Sequence, residues 1–206
     1  PWENLDLPVS RAVLVRTTSR GKLHVLTHVK RDRIRFYAYE PDAPTPKARW
    51  RDCSQDLPVN SMVQDFAVDE AEDTLFITVA TTRAIYCYDS YTGNWLPSQL
   101  PERYRVTCLY RSRHFPDTLY AAAGRFLLKS FDFGRTFEDE PVCEFPSKIS
   151  SLTLSGLGFE TIWISTENGG IYVSHHENCW NALVADETAL PINQIAVNTQ
   201  KQGVMY

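Results

Sequence analysis

Ser130-Phe131-Asp132-Phe133-Gly134-Arg135-Thr136-Phe137 is the stretch around which the chain is organised. It follows an apolar run, Phe126-Leu127-Leu128-Lys129, that reads as a strand ending at Ser130. A short acidic side chain such as Asp132 accepts hydrogen bonds from turn amides. Gly134 supplies a backbone conformation that a Cβ resists. Phe137 then carries the chain back to the core. The stretch therefore predicts a tight turn between two strands.

The turn recurs in phase with other marks. Leu-Pro or Phe-Pro pairs stand at Leu7-Pro8, Leu57-Pro58, Leu100-Pro101, Phe145-Pro146 and Leu190-Pro191, in steps of 50, 43, 45 and 45 residues. Asp73-Thr74-Leu75-Phe76, Asp117-Thr118-Leu119-Tyr120 and Glu160-Thr161-Ile162-Trp163 form a second series, and Gly203-Val204-Met205-Tyr206 falls in its phase. An aromatic precedes each proline pair: Trp2, Trp50, Trp95, Phe137 and Trp180. Self-similarity at about 44 residues, each unit reading as four short strands, is the signature of a β-propeller.

In the clearest unit the strands are Met62 to Val68, Thr74 to Val79, Ile85 to Tyr88 and Trp95 onward. The next uses Val106 to Tyr110, Thr118 to Ala122, Phe126 to Ser130 and Phe137 onward. The last full unit uses Ile149 to Leu154, Thr161 to Ser165, Ile171 to Ser174 and Trp180 onward. The first uses Ala12 to Arg16, Leu23 to Thr27, Ile34 to Tyr39 and Trp50 onward. These runs alternate or are rich in β-branched and aromatic residues. An insertion at Glu40 to Lys47, with three prolines, predicts an extended loop. Trp2 to Pro8 reads as an isolated outer strand, and Gln194 to Tyr206 as an inner strand and part of a second. The expectation is one all-β domain over 1–206, with blade edges near 8, 58, 101, 146 and 191. It has four full blades and a split or incomplete fifth, or is part of a larger propeller.

The S-x-D-x-G-x-T-aromatic pattern at Ser130, Asp132, Gly134, Thr136 and Phe137 resembles the Asp-box, or BNR, turn of sialidase-like and Vps10-like propellers. The strict pattern covers one blade. Ser174 and Trp180 match its ends in the following blade, but His176 stands at the Asp position and the spacing is one residue short. Asp89-Ser90-Tyr91-Thr92-Gly93-Asn94-Trp95 is closer to the turn of other, WD40-like propellers. In Asp-box enzymes these turns lie away from the substrate, so the resemblance implies a structural role for the five residues. A sialidase also has three arginines gripping a carboxylate, a Tyr/Glu nucleophile pair, an acidic Asp and an F-R-I-P-like segment. That segment does not occur here. A sialidase-like glycoside hydrolase or carbohydrate-binding propeller is thus the alternative reading, and a protein-binding scaffold the first.

Apolar content of 43% and aromatic content of 12% suffice for a packed core, and the net charge of -4 argues against bulk nucleic-acid binding. No apolar run is long enough to span a membrane as a helix. No charged-then-apolar leader opens the chain, and Pro1 suits either a removed initiator Met or a cut from a longer chain. Cys53, Cys87, Cys108, Cys143 and Cys179 are odd in number and contain no C-x-x-C, which suggests reduced thiols and an intracellular setting. His24 with His28, and His175-His176 with Cys179, make incomplete ligand sets, and no Gly-rich phosphate loop occurs, so neither metal nor cofactor is expected.

Charge is sorted by the repeat. In four-stranded blades the second-to-third turn and the blade-to-blade connection open on one face. That face collects Arg11, Lys30, Arg31, Arg33, Arg83, Arg103, Arg105 and Arg125 against Asp32, Glu102 and Glu167. The opposite face takes Asp69, Glu70, Glu72, Asp73, Asp89 and Asp132. Arginine's planar fork suits carboxylate and phosphate. Arg83, Arg103, Arg105, Arg125, Arg31 and Arg33 are the candidate contacts to an anionic ligand or an acidic protein surface. Photosystem assembly factors of the Asp-box class resemble this arrangement in their arginine-rich docking.

Overall fold

A computed structural model describes residues 5, 7–8, 12–18, 21–29, 33–55, 57, 62–71, 74–112, 114–156, 160–177, 179–184, 190 and 192–197. Among the described residues sixteen strands form four antiparallel sheets of four. Blade one is β1 (Ala12–Thr17), β2 (Leu23–Val29), β3 (Arg33–Tyr39) and β4 (Trp50–Asp52). Blade two is β5 (Val63–Ala71), β6 (Thr74–Thr81), β7 (Ile85–Asp89) and β8 (Asn94–Pro97). Blade three is β9 (Val106–Arg111), β10 (Leu119–Ala123), β11 (Phe126–Ser130) and β12 (Cys143–Glu144). Blade four is β13 (Ile149–Ser155), β14 (Thr161–Thr166), β15 (Ile171–His176) and β16 (Cys179–Val184). Within each sheet the strands pair in chain order, and β1, β5, β9 and β13 pack side by side in turn. The protein is an all-β propeller with four blades.

Burial follows from that stacking. Every residue of β10 and of β14 is buried; β10 lies between two blades, with Leu119 and Ala121 in the cluster on one face and Tyr120 and Ala122 in the cluster on the other. The outer β16 is mostly exposed. Three apolar clusters fill the three seams between successive blades. Phe36, Phe66 and Trp95 meet in the first, Leu109, Leu119 and Phe137 in the second, and Leu127, Phe145 and Ile164 in the third. Tryptophan serves the outer strands because its ring fills a seam while its N–H finds a main-chain acceptor. Trp95 Nε1 donates to Cys53 O at 3.1 Å and Trp50 Nε1 to Leu5 O at 2.7 Å.

Polar staples cross the seams as well. Buried Asp65 accepts from its neighbour Phe66 N at 2.8 Å, from Leu109 N in the next blade at 2.9 Å, and from Arg16 of the previous blade at 2.6 Å. Ser151 accepts from Ile195 N at 3.2 Å with the same separation in sequence. The Asp65 carboxyl is pushed up by burial, while Arg16 and the two amides act the other way.

Two local expectations are corrected. The Glu40–Lys47 insertion is not simply extended, because Pro46–Arg49 forms a 3-10 turn whose Thr45 cap accepts from Ala48 N at 3.3 Å. Proline at the first position of a helical turn is favoured, because its missing N–H would have no partner there. The outer strand of blade three does not run on from Phe137. Glu138 N pairs with Lys129 O at 3.1 Å, and the next pairing is Val142 N to Leu127 O at 2.8 Å. The acidic run Glu138-Asp139-Glu140 is exposed, and Asp139 and Glu140, between the two pairings, leave the ladder. Of the two terminal half-blades, Trp2 and residues 198–206 lie outside the described residues.

Candidate functional site: the arginine-bearing face

The blade topology fixes which connections share an end of the sheets. Arg83 lies in the β6–β7 turn and Arg125 in the β10–β11 turn. Arg103 and Arg105 lie in the connection from β8 to β9. All four side chains are exposed. Arg33 begins β3, next to the β2–β3 turn, and its side chain is not described. Arg31, Lys30, Asp32 and Arg11 lie outside the described residues, as do Glu72 and Asp73 on the opposite face.

The arginines are held differently. Arg125 pairs with Glu144, with both side chains about half exposed, so its charge is locally matched in a contact of small energy. Arg103 Nη2 donates to Asp139 O at 2.7 Å, and its guanidinium carbon sits 4.8 Å from the centre of the Tyr104 ring. Arg105 Nη1 donates to Glu102 O at 2.6 Å and to Tyr104 O at 2.9 Å. Carbonyl oxygens orient a guanidinium without cancelling its charge. Arg103 and Arg105 open on a depression of about 600 Å³ that also includes Tyr104, Phe126, Lys148 and Glu167. Lys148 and Glu167 face each other at 3.4 Å. Sequence reasoning missed Lys148 and Glu144. Lys148 lies in the connection from β12 to β13, which opens on this face, and Glu144 ends β12 beside it.

The Ser130–Phe137 turn lies elsewhere, between β11 and β12. Ser130 Oγ donates to Asp132 Oδ1 at 2.8 Å and accepts from Gly134 N at 2.8 Å. Thr136 donates twice to Asp132, from its amide at 2.8 Å and its hydroxyl at 2.6 Å. Partial burial raises the Asp132 carboxyl, but the Thr136 and Ser130 donors outweigh it and hold the group below the ordinary carboxylate range. Gly134 has φ +87°, and Phe133 holds φ 63°. The turn docks on blade two: Thr78 Oγ1 donates to Phe133 O at 2.8 Å, and Phe133 stacks on Phe76 with ring centres 3.8 Å apart. Phe137 is buried in the same seam.

Arg111 at the end of β9 was not anticipated. Burial draws its guanidinium down to about 10, and its three nitrogens meet no hydrogen-bond acceptor among the described residues. The five cysteines form no disulfide. Among the described residues no group of three or more His, Cys, Asp or Glu side chains is arranged to hold a metal ion, and no helix is long and apolar enough to cross a membrane.

No family model matches this sequence, and no curated protein matches it. Solved structures do share the fold. The extracellular domain of BT4673 from B. thetaiotaomicron, named a hybrid two-component system, superposes with a TM-score of 0.58 at 17% identity, over 93% of this chain and 30% of that one. The extracellular domain of BT3049 from the same organism, named likewise, gives a TM-score of 0.53 at 16% identity, over 85% of this chain and 25% of that one. The chain spans less than a third of the length of either neighbour.

Proposed function

We propose that the chain is a non-catalytic docking module that takes an anionic ligand or an acidic protein surface on its arginine-bearing face. The observation that carries this reading is the tethering of Arg103 and Arg105 by main-chain carbonyls. Both guanidinium groups are pre-set in position, and among the described residues no carboxylate pairs with either. Lys148, paired with Glu167, stands in the same depression, and exposed Arg83 extends the rim over the neighbouring blade. Grouped charge of one sign raises the encounter rate with an acidic partner, and salt weakens the effect. The Ser130–Phe137 turn supports a reading as an Asp-box with a structural role, since its donors and acceptors are spent within the turn and on blade two.

The test is binding of a fluorescent poly-glutamate peptide to the whole chain across a salt series. Affinity falls steeply with salt, and Arg103→Glu with Arg105→Glu removes binding while the far-ultraviolet spectrum is unchanged. Binding that is flat in salt, or that survives the double reversal, overturns the proposal.

A further inference from the structure

The repeat allows one seam to be compared with the next, position by position. In blade three Ser130 pairs with Leu119, and in blade four Ser174 pairs with Ile162. Counting from those pairs, Tyr120 occupies the place that Phe76 has one blade earlier, and Glu177, three residues after Ser174, occupies the place of Phe133. At the seam between blades two and three, Phe76 and Phe133 stack and leave a gap of only about 20 Å³. At the seam between blades three and four the apolar plug is gone. Tyr120 donates its hydroxyl to Glu177, Lys129 pairs with the same carboxylate, and a groove of about 520 Å³ stands open.

The groove has the makings of a ligand site. Glu160, His175, Thr118 and Ser174 add polar groups to the wall. Phe115 and Phe131 stand at it 63% and 54% exposed, an unusual placement for two large apolar side chains at one cleft. Lys129 Nζ lies 4.3 Å from the centre of the Phe131 ring, with its side chain only 11% exposed. Burial and the Glu177 carboxylate push the Tyr120 phenol far above its ordinary value, so it remains a donor.

We propose that this groove binds a neutral oligosaccharide. A purely apolar ligand would strip water from Lys129 and Glu177 without replacing it. An acidic ligand would meet two carboxylates, Glu160 and Glu177, against one ammonium. Sugar hydroxyls donate and accept, so they can serve Glu177 and Lys129 at once, while a C–H face of the ring lies on Phe131. The site is on the opposite end of the sheets from the arginine-bearing depression and stands independently of it.

Titration calorimetry of the whole chain with short neutral glucan, mannan and galactan oligosaccharides, and with uronic-acid and sialylated oligosaccharides, tests this. At least one neutral series binds. Phe131→Ala, at an exposed position, weakens it about tenfold. Glu177→Phe combined with Tyr120→Phe and Lys129→Met, the last removing the ammonium that would otherwise lose its carboxylate, rebuilds an apolar plug like that of the neighbouring seam and abolishes binding while the far-ultraviolet spectrum is unchanged. Arg103→Glu leaves the affinity unchanged. The proposal is overturned if no neutral series gives saturable heat at about 1 mM, if Phe131→Ala binds like the parent, or if an acidic sugar binds more tightly than every neutral one.

Discussion

Alanine at Gly134 is the sharpest probe of how the blades are joined, because Gly21 supplies a matched control. Both glycines adopt the left-handed region, with φ +87° and φ +80°. A Cβ in that region costs about 1–2 kcal/mol at either place. The surroundings differ. A Cβ on Gly21 meets nothing within 4 Å, whereas one on Gly134 would lie 2.8 Å from Leu119 Cδ2 and 3.1 Å from Thr78 Cγ2. Neither neighbour yields easily. Leu119 is fully buried in the seam between blades two and three, and Thr78 is held by its hydrogen bond to Phe133 O. Overpacking of this kind adds about 1–3 kcal/mol. Gly134→Ala should therefore lose roughly 2–5 kcal/mol and Gly21→Ala roughly 1–2 kcal/mol. Urea unfolding followed by tryptophan fluorescence reads the difference as a shift in midpoint at constant slope. Two variants within about 0.5 kcal/mol of each other would refute the claim that this turn is packed against blade two rather than merely shaped by its own residues.

Two further outcomes follow from the same geometry. The Asp132 carboxyl is held below its ordinary value in the folded protein, so its contribution is complete above about pH 4 and is lost as pH falls through the folded value. The stability gap between the parent and Asp132→Asn should shrink from neutral pH towards about pH 3, and a gap that stays constant over that range rules out the Thr136 and Ser130 bonds as its source. Asp65→Ala leaves the buried amides of Phe66 and Leu109 without an acceptor and should cost roughly 2–6 kcal/mol. Arg16→Ala keeps both amide bonds and, although it leaves the buried Asp65 carboxylate without its cation, should cost less, about 1–3 kcal/mol. Equal losses in denaturant titrations would mean that the ion pair, not the amide staple, joins these blades.

The propeller was legible because its determinants repeat. A second strand covered on both faces must be largely apolar, as Leu119 to Ala123 is throughout, and a large aromatic marks each seam: Trp50, Trp95 and Trp180 on three outer strands and Phe137 in blade three. Features formed by a single blade departing from the rest were harder to see. Thr45-Pro46 carried the signal for a capped helical turn, yet three prolines together read as extended chain. The acidic run after Phe137 looked like the start of a strand, although three adjacent carboxylates favour leaving a ladder for water. Asp65 and Arg111 gave no local sign at all, since their surroundings are assembled across a seam from residues some forty positions apart. The seam between blades three and four shows how such a departure can become visible. Matching His176 to Asp132 made the blade-four turn look like a degraded copy. Matching Ser174 to Ser130 and counting three onward puts Glu177 where Phe133 belongs, with Tyr120 already in the place of Phe76. A turn whose apolar plug is replaced by a carboxylate, opposite a replacement that gives that carboxylate a phenol to bind, is a paired change. Degradation alone would leave an unfilled seam lined by apolar side chains, whereas this one is lined by groups that satisfy each other and still face the groove.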